Sequence, residues 1–135
     1  MADLHLKGTG TFEVELKPEA ENKVDELAFG RYSIEKKFQG DLEATSRVEM
    51  LSAGSENGFG AYVAIEHVTG TLKGRRGAFV LMHSGTRSPE GHELTVSVVP
   101  GCGTGELAGL EGLMTITMEG EDHFYDLVYG FSNLS

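Results

Sequence analysis

Short segments in which apolar and polar residues alternate recur along the chain, and glycines punctuate them. In TGTFEVEL, Phe12, Val14 and Leu16 fall on one face and Thr11, Glu13 and Glu15 on the other, the two-residue period of a half-buried strand. RYSIEKKF places Tyr32, Ile34 and Phe38 together. After the Gln39-Gly40 step, DLEATSRVEM sets Leu42, Ala44, Val48 and Met50 opposite Asp41, Glu43, Arg47 and Glu49. KPEAENKVDEL, between the first two of these segments, is polar and acidic and predicts a connecting loop or one helical turn with Pro18 near its start. SAGSENGFG reads as a turn, its Asn57-Gly58 pair being a hairpin signal.

The second half of the chain continues the pattern. In AYVAIEHVTGTL, Ala61, Val63 and Ile65 lie on one side and Tyr62, Ala64 and Val68 on the other. GAFVLMH is apolar on both sides, with Phe79 and Leu81 against Val80 and Met82, which predicts cover on both faces. The polar turn SGTRSPEGHE leads to LTVSVV, and LMTITME and HFYDLVYGF complete the set. About eight antiparallel strands at these spacings predict an all-β domain, a sandwich or a closed barrel. The 19 glycines favour the barrel, because closure needs bends and bulges. The length of 135 residues fits a single domain, 1–135.

PGCGTGELAGLEG, Pro100 to Gly112, poses a separate question, since Gly103-Thr-Gly105-Glu-Leu-Ala108 has the spacing of a dinucleotide fingerprint. That fingerprint needs a helix whose N-terminus meets the pyrophosphate. Here GLMTITMEG follows, alternating like a strand, and ELAGLEG is long enough for one helical turn at most. The segment reads as a glycine-rich crossover between strands.

Charge narrows the partners. With 21 acidic and 11 basic residues the formal charge is −10, which argues against nucleic acid or an anionic membrane surface. One cysteine, Cys102, forms no intrachain disulfide and has no basic neighbour in sequence to activate it. The chain shows no leader-like apolar run and none approaching a membrane span, so a soluble cytoplasmic protein is expected. The outer side of GAFVLMH needs something to cover it, and a homo-oligomer, with a dimer favoured, is the expected solution.

Three longer segments carry a resemblance. FQGDLEATSRVEML, YVAIEHVTGTLKGRRGAFVLMHSGT and VVPGCGTGELAGLEG resemble, in order and spacing, the signatures of the bacterial DUF3224 family, over Phe12 to about Tyr129. The chain departs from that pattern at Ala44 (Gly in the pattern), Cys102 (Ser) and Val96 (an aromatic). The resemblance implies an eight-stranded antiparallel barrel similar to allene oxide cyclase and the dirigent proteins. Those barrels hold a hydrophobic small molecule and act by fixing its conformation, without a cofactor. By that analogy this chain takes a hydrophobic small molecule, as a cofactor-independent cyclase or isomerase or as a non-catalytic binding or carrier protein.

Candidate side chains follow. Glu66 lies on the Tyr62, Ala64 and Val68 face, where it is either a carboxylate with a raised pKa suited to acid or base work, or the partner of Arg75 or Arg76 on the adjacent strand. His83, on the Phe79 and Leu81 face, is the second catalytic candidate, and His67 a weaker one. Tyr62, Phe79 and Tyr125 are the candidate ligand contacts. The five histidines have no i, i+2 or i, i+4 pairing, and a His67–His83 pair across strands is the sole route to a metal; none is expected. No G-x-S-x-G elbow is present.

Overall fold

The computed structural model describes residues 2–132. Nine strands form: β1 (Leu6–Val24), β2 (Leu27–Gly40), β3 (Leu42–Ser55), β4 (Gly60–Leu72), β5 (Arg75–Ser88), β6 (Gly91–Val98), the two-residue β7 (Thr104–Gly105), β8 (Leu110–Glu119) and β9 (Asp122–Phe131). Hydrogen bonding runs β4-β3-β2-β1-β9-β8-β6-β5, and β5 returns to β4, so eight antiparallel strands close a barrel with β7 as an added rung on β5. Closure removes most of the unpaired edge that an open sheet of these strands would carry, leaving β1 beyond Phe12 with a partner on one side.

The barrel is closed at one end and open at the other because its strands differ in length. β8 and β9 stop at the Glu119–Asp122 turn, level with Phe12, which pairs with His123. Beyond that level β1 runs on to Val24 paired with β2 alone, and no strand among the described residues pairs with its other side. Phe12 is buried, whereas Val14 and Leu16, on the same face, are 38% and 50% exposed.

Lys17 to Val24, expected as a loop or a helical turn, is the second half of β1. It pairs with Leu27–Ser33 through a bulge at Pro18/Ala20. This stretch lacks alternation because neither of its faces meets a core. Pro18 is tolerated because, among the described residues, β1 has no partner on its other side beyond Phe12, so no ladder bond is lost there. The SGTRSPEGHE turn is likewise shorter than expected: β5 runs to Ser88 and β6 starts at Gly91.

At the closed end Phe12, Phe38, Leu42, Val68, Leu72, Phe79, Leu81 and Leu127 form part of one buried cluster. The glycine-rich segment seals it. β6 pairs with β5 only from Leu81 to Ser88, which leaves Gly77 and Ala78 free to pair with Gly105 and Thr104. Leu107 and Leu110 are thereby driven into the core with no exposed surface. A Cβ on Gly77 would lie 2.0 Å from the Thr104 carbonyl oxygen, so this close approach requires glycine. The glycines of this loop serve backbone packing, in agreement with the crossover reading.

Tyr125 ties the same end together. Its hydroxyl accepts from the Leu42 amide at 2.8 Å and donates to the carbonyl of Gln39 at 3.0 Å or of Leu42 at 3.2 Å. It thereby holds the β2–β3 corner to β9. Tyr125→Phe strands the buried Leu42 amide, so chemical denaturation is expected to show a loss of about 1–3 kcal/mol with an unchanged m-value.

Candidate functional site

Strand parity aims one polar side chain from each of four neighbouring strands into the barrel. Lys36 of β2 lies between the inward Ile34 and Phe38, Ser46 of β3 between Ala44 and Val48, Glu66 of β4 between Ala64 and Val68, and His83 of β5 beyond Leu81. They converge on the Glu66 carboxylate, which has no exposed surface. Oε1 accepts from Lys36 Nζ at 3.1 Å and from His83 Nε2 at 2.7 Å; Oε2 accepts from Ser46 Oγ at 2.6 Å. A carboxylate can only accept, so Nε2 of His83 carries the hydrogen. The Lys36 ammonium also lies 4.9 Å from the Phe12 ring centroid and 5.9 Å from that of Phe38, over aromatic faces that favour a cation.

Burial by itself raises the pKa of Glu66, and this is the largest single influence. The His83 hydrogen bond, the Lys36 charge and the Ser46 hydrogen bond together outweigh it, leaving the pKa below the ordinary 4.5. The expectation of a raised pKa is therefore corrected. The expected arginine partners are corrected as well: Arg75 and Arg76 sit opposite Leu72 and Thr71 at the far end of the hairpin. Arg75 stacks instead on Phe131, 4.5 Å from the ring centroid. His67, opposite Val80, is exposed on the outer wall while His83 points inward, so the two face away from each other.

Ile34, Val48 and Ala64, with Met50 packed against them, form an apolar patch on the open-end side of the Glu66 carboxylate, and His83 sits at the same level, opposite Ala64. Above Met50 lies a cavity of about 890 Å³, reaching from Glu21–Lys23 of β1 across to His92–Leu94 of β6. Its inner wall carries a glycine on each of four strands: Gly30, Gly54, Gly60 and Gly85. Tyr32 covers Gly30 and Tyr62 covers Gly85; a Cβ at either glycine would come within 2.6 Å of the ring. Burial raises the pKa of the Tyr62 hydroxyl, which therefore stays a neutral phenol at physiological pH.

The structure thus brings Glu66 and His83 together and places Tyr62 on the cavity wall. Phe79 and Tyr125 point inward too, but at the closed end, each 1% exposed and packed in the core. Lys36 and Ser46 were absent from the sequence-based candidates. Their signal was present, as single polar residues interrupting otherwise apolar inward files. Among the described residues no group of three His, Cys, Asp or Glu side chains is placed to hold a metal, and no helix is long and apolar enough to cross a membrane.

Removing one partner of a buried pair leaves the other charge uncompensated. Glu66→Gln is expected to lower stability by about 2–4 kcal/mol in denaturant titrations. The pH dependence has a definite sign. Because the folded-state pKa is depressed, the contribution of Glu66 is fully present above about 4.5 and is lost as pH falls through the depressed value. The Glu66→Gln protein should accordingly lose less stability than the wild type on acidification below that point, which paired melts across pH will show.

Among curated proteins nothing matches this chain. A crystal structure of a protein with unknown function from the DUF3224 family of Shewanella oneidensis MR-1 is similar to it, with 44% identity and a TM-score of 0.90 over 96% of this chain and 98% of that one. Residues 8–129 match the profile of the family described as "Protein of unknown function (DUF3224)". With the barrel, the sealed glycine-rich loop and the match over nearly its whole length, the chain belongs to the DUF3224 family.

Proposed function

We propose that the protein binds a small, largely apolar molecule in the open end of its barrel. The observation that carries this reading is the cavity of about 890 Å³, within the size range of small-molecule sites, with tyrosines laid against a glycine-cleared wall over Met50. Binding or carriage is favoured over acid–base catalysis. Both oxygens of Glu66 are engaged by Lys36, His83 and Ser46, and the apolar patch of Ile34, Val48 and Ala64 lies on the open-end side of that carboxylate. A cyclase or isomerase reading would have to rely on conformational templating by the cavity wall.

Ser52 faces the cavity beside Tyr62 and Gly30, its neighbours in the ladders, and belongs to neither buried cluster. Ser52→Trp is expected to abolish binding of the neutral dye Nile red while leaving the thermal midpoint within a few degrees of wild type. Undiminished dye binding would locate the dye elsewhere and remove the support for this site.

We infer further that two copies associate through the outer wall of β3 to β5. Leu51 and Val63 pair across strands there, as do Ile65 and Met82, and all four are at least 50% exposed. On the outer side of GAFVLMH, Met82 is half exposed and Val80 only partly covered by the described residues. Arg31 and Glu49, 3.8 Å apart at the margin of this patch, offer both signs of charge, which suits a twofold axis. Light scattering at micromolar concentration should give a dimer, and Val63→Asp a folded monomer; a monomeric wild type would refute the association.

A further inference from the structure

Among the cations that line the cavity, Arg87 stands apart. It projects inward from β5, and its guanidinium lies along the glycines opposite it. A Cβ on Gly60 would be 3.0 Å from Arg87 Nε, and one on Gly54 would be 3.1 Å from Nη2. The two glycines therefore keep clear the space that the guanidinium occupies. Lys23, also on the rim, is held by Glu56 at 3.2 Å. Arg87 forms no ion pair among the described residues, although the chain carries 21 acidic side chains and Glu21 and Glu93 line the same cavity. His92, opposite Arg87 in the β5–β6 ladder, adds a ring nitrogen at the same margin.

We propose that the occupant of the cavity is an organic carboxylate: a singly charged head on Arg87 and an apolar body lying over Met50 and Ser52 between Tyr32 and Tyr62. This deepens the cavity reading given above and rests on it. The planar fork of a guanidinium matches the two oxygens of a carboxylate. One unpaired arginine on a rim that also carries Glu21 and Glu93 suits a single negative charge, since a doubly charged phosphate calls for more cations than this margin offers. The apolar body is demanded by the wall, where Tyr32, Tyr62, Met50, Ala28 and Leu94 present few groups that could replace water around a polar one.

The test compares three fluorescent probes on the intact chain: dansyl-undecanoate, its methyl ester and Nile red. The acid and ester differ only in the charged head. Wild-type protein is expected to bind the acid about tenfold more tightly than the ester at low salt. Arg87→Met keeps an apolar stem of similar length and should bring the acid and the ester to equal affinity. Equal affinities for acid and ester in the wild type, with Nile red bound and displaced by Ser52→Trp, would overturn the carboxylate while the cavity reading stands. Failure of all three probes to bind in a Ser52→Trp-sensitive way would overturn both. A preference for the acid that survives in Arg87→Met would also overturn the proposal, because the head would then lie on another group.

Discussion

A carboxylate without water must be neutralised by the protein around it, and in this barrel Glu66 draws that neutralisation from three other strands. The arrangement fixes more than a local contact. Side chains alternate between the two faces of the wall, so sliding β2, β3 or β5 by one residue would turn Lys36, Ser46 or His83 outward and leave Glu66 charged in an apolar interior. Hydrophobic burial alone discriminates registers less sharply here, because Val63, Ile65 and Met82 on the outer face are nearly as apolar as their inward neighbours. The polar cluster supplies the distinction that the apolar pattern of β4 and β5 lacks.

The strands that border a core were legible from their alternation. Phe12 on β1, Ile34 and Phe38 on β2, and Leu42, Ala44 and Val48 on β3 face inward as the pattern indicates. The second half of β1 was not, since period two is written by burial and Lys17 to Val24 bury nothing. The candidate site was half legible for a related reason. Glu66 and His83 stood out as polar groups among apolar neighbours, whereas Lys36 reads as one more surface lysine until its position between Ile34 and Phe38 is considered. Local hairpin reasoning pointed to Arg75 and Arg76, but the cation comes from β2, two strands away, and that proximity is a property of the curved wall. Parity likewise shows that Tyr62, Phe79 and Tyr125 all face inward; which of them meets open space depends on where β8 and β9 end.

The two ends of the barrel use glycine for opposite purposes. At the closed end Gly77 lets another stretch of backbone come close, so that Leu107 can fill the core beneath it. At the open end Gly30, Gly54, Gly60 and Gly85 remove side chains from the wall, and two phenols and a guanidinium lie in the room so made. Packing density is thus concentrated at one end, and shape complementarity to something other than the chain itself is left to the other.

The free margin of β1 has a consequence for behaviour in a crowded solution. From Glu13 to Val24 this strand has no partner along one side among the described residues, which leaves a row of amides and carbonyls on which a second extended chain could add. Glu13, Glu15, Lys17, Glu19, Glu21 and Lys23 recur along it, and Pro18 with its bulge interrupts the row of donors. A like strand approaching this margin meets acidic side chains of its own kind and a kink out of register. The acidic run that resembles a mere linker in the sequence thus acts as a guard against cross-β growth, placed where the open end of the barrel leaves a strand without a neighbour.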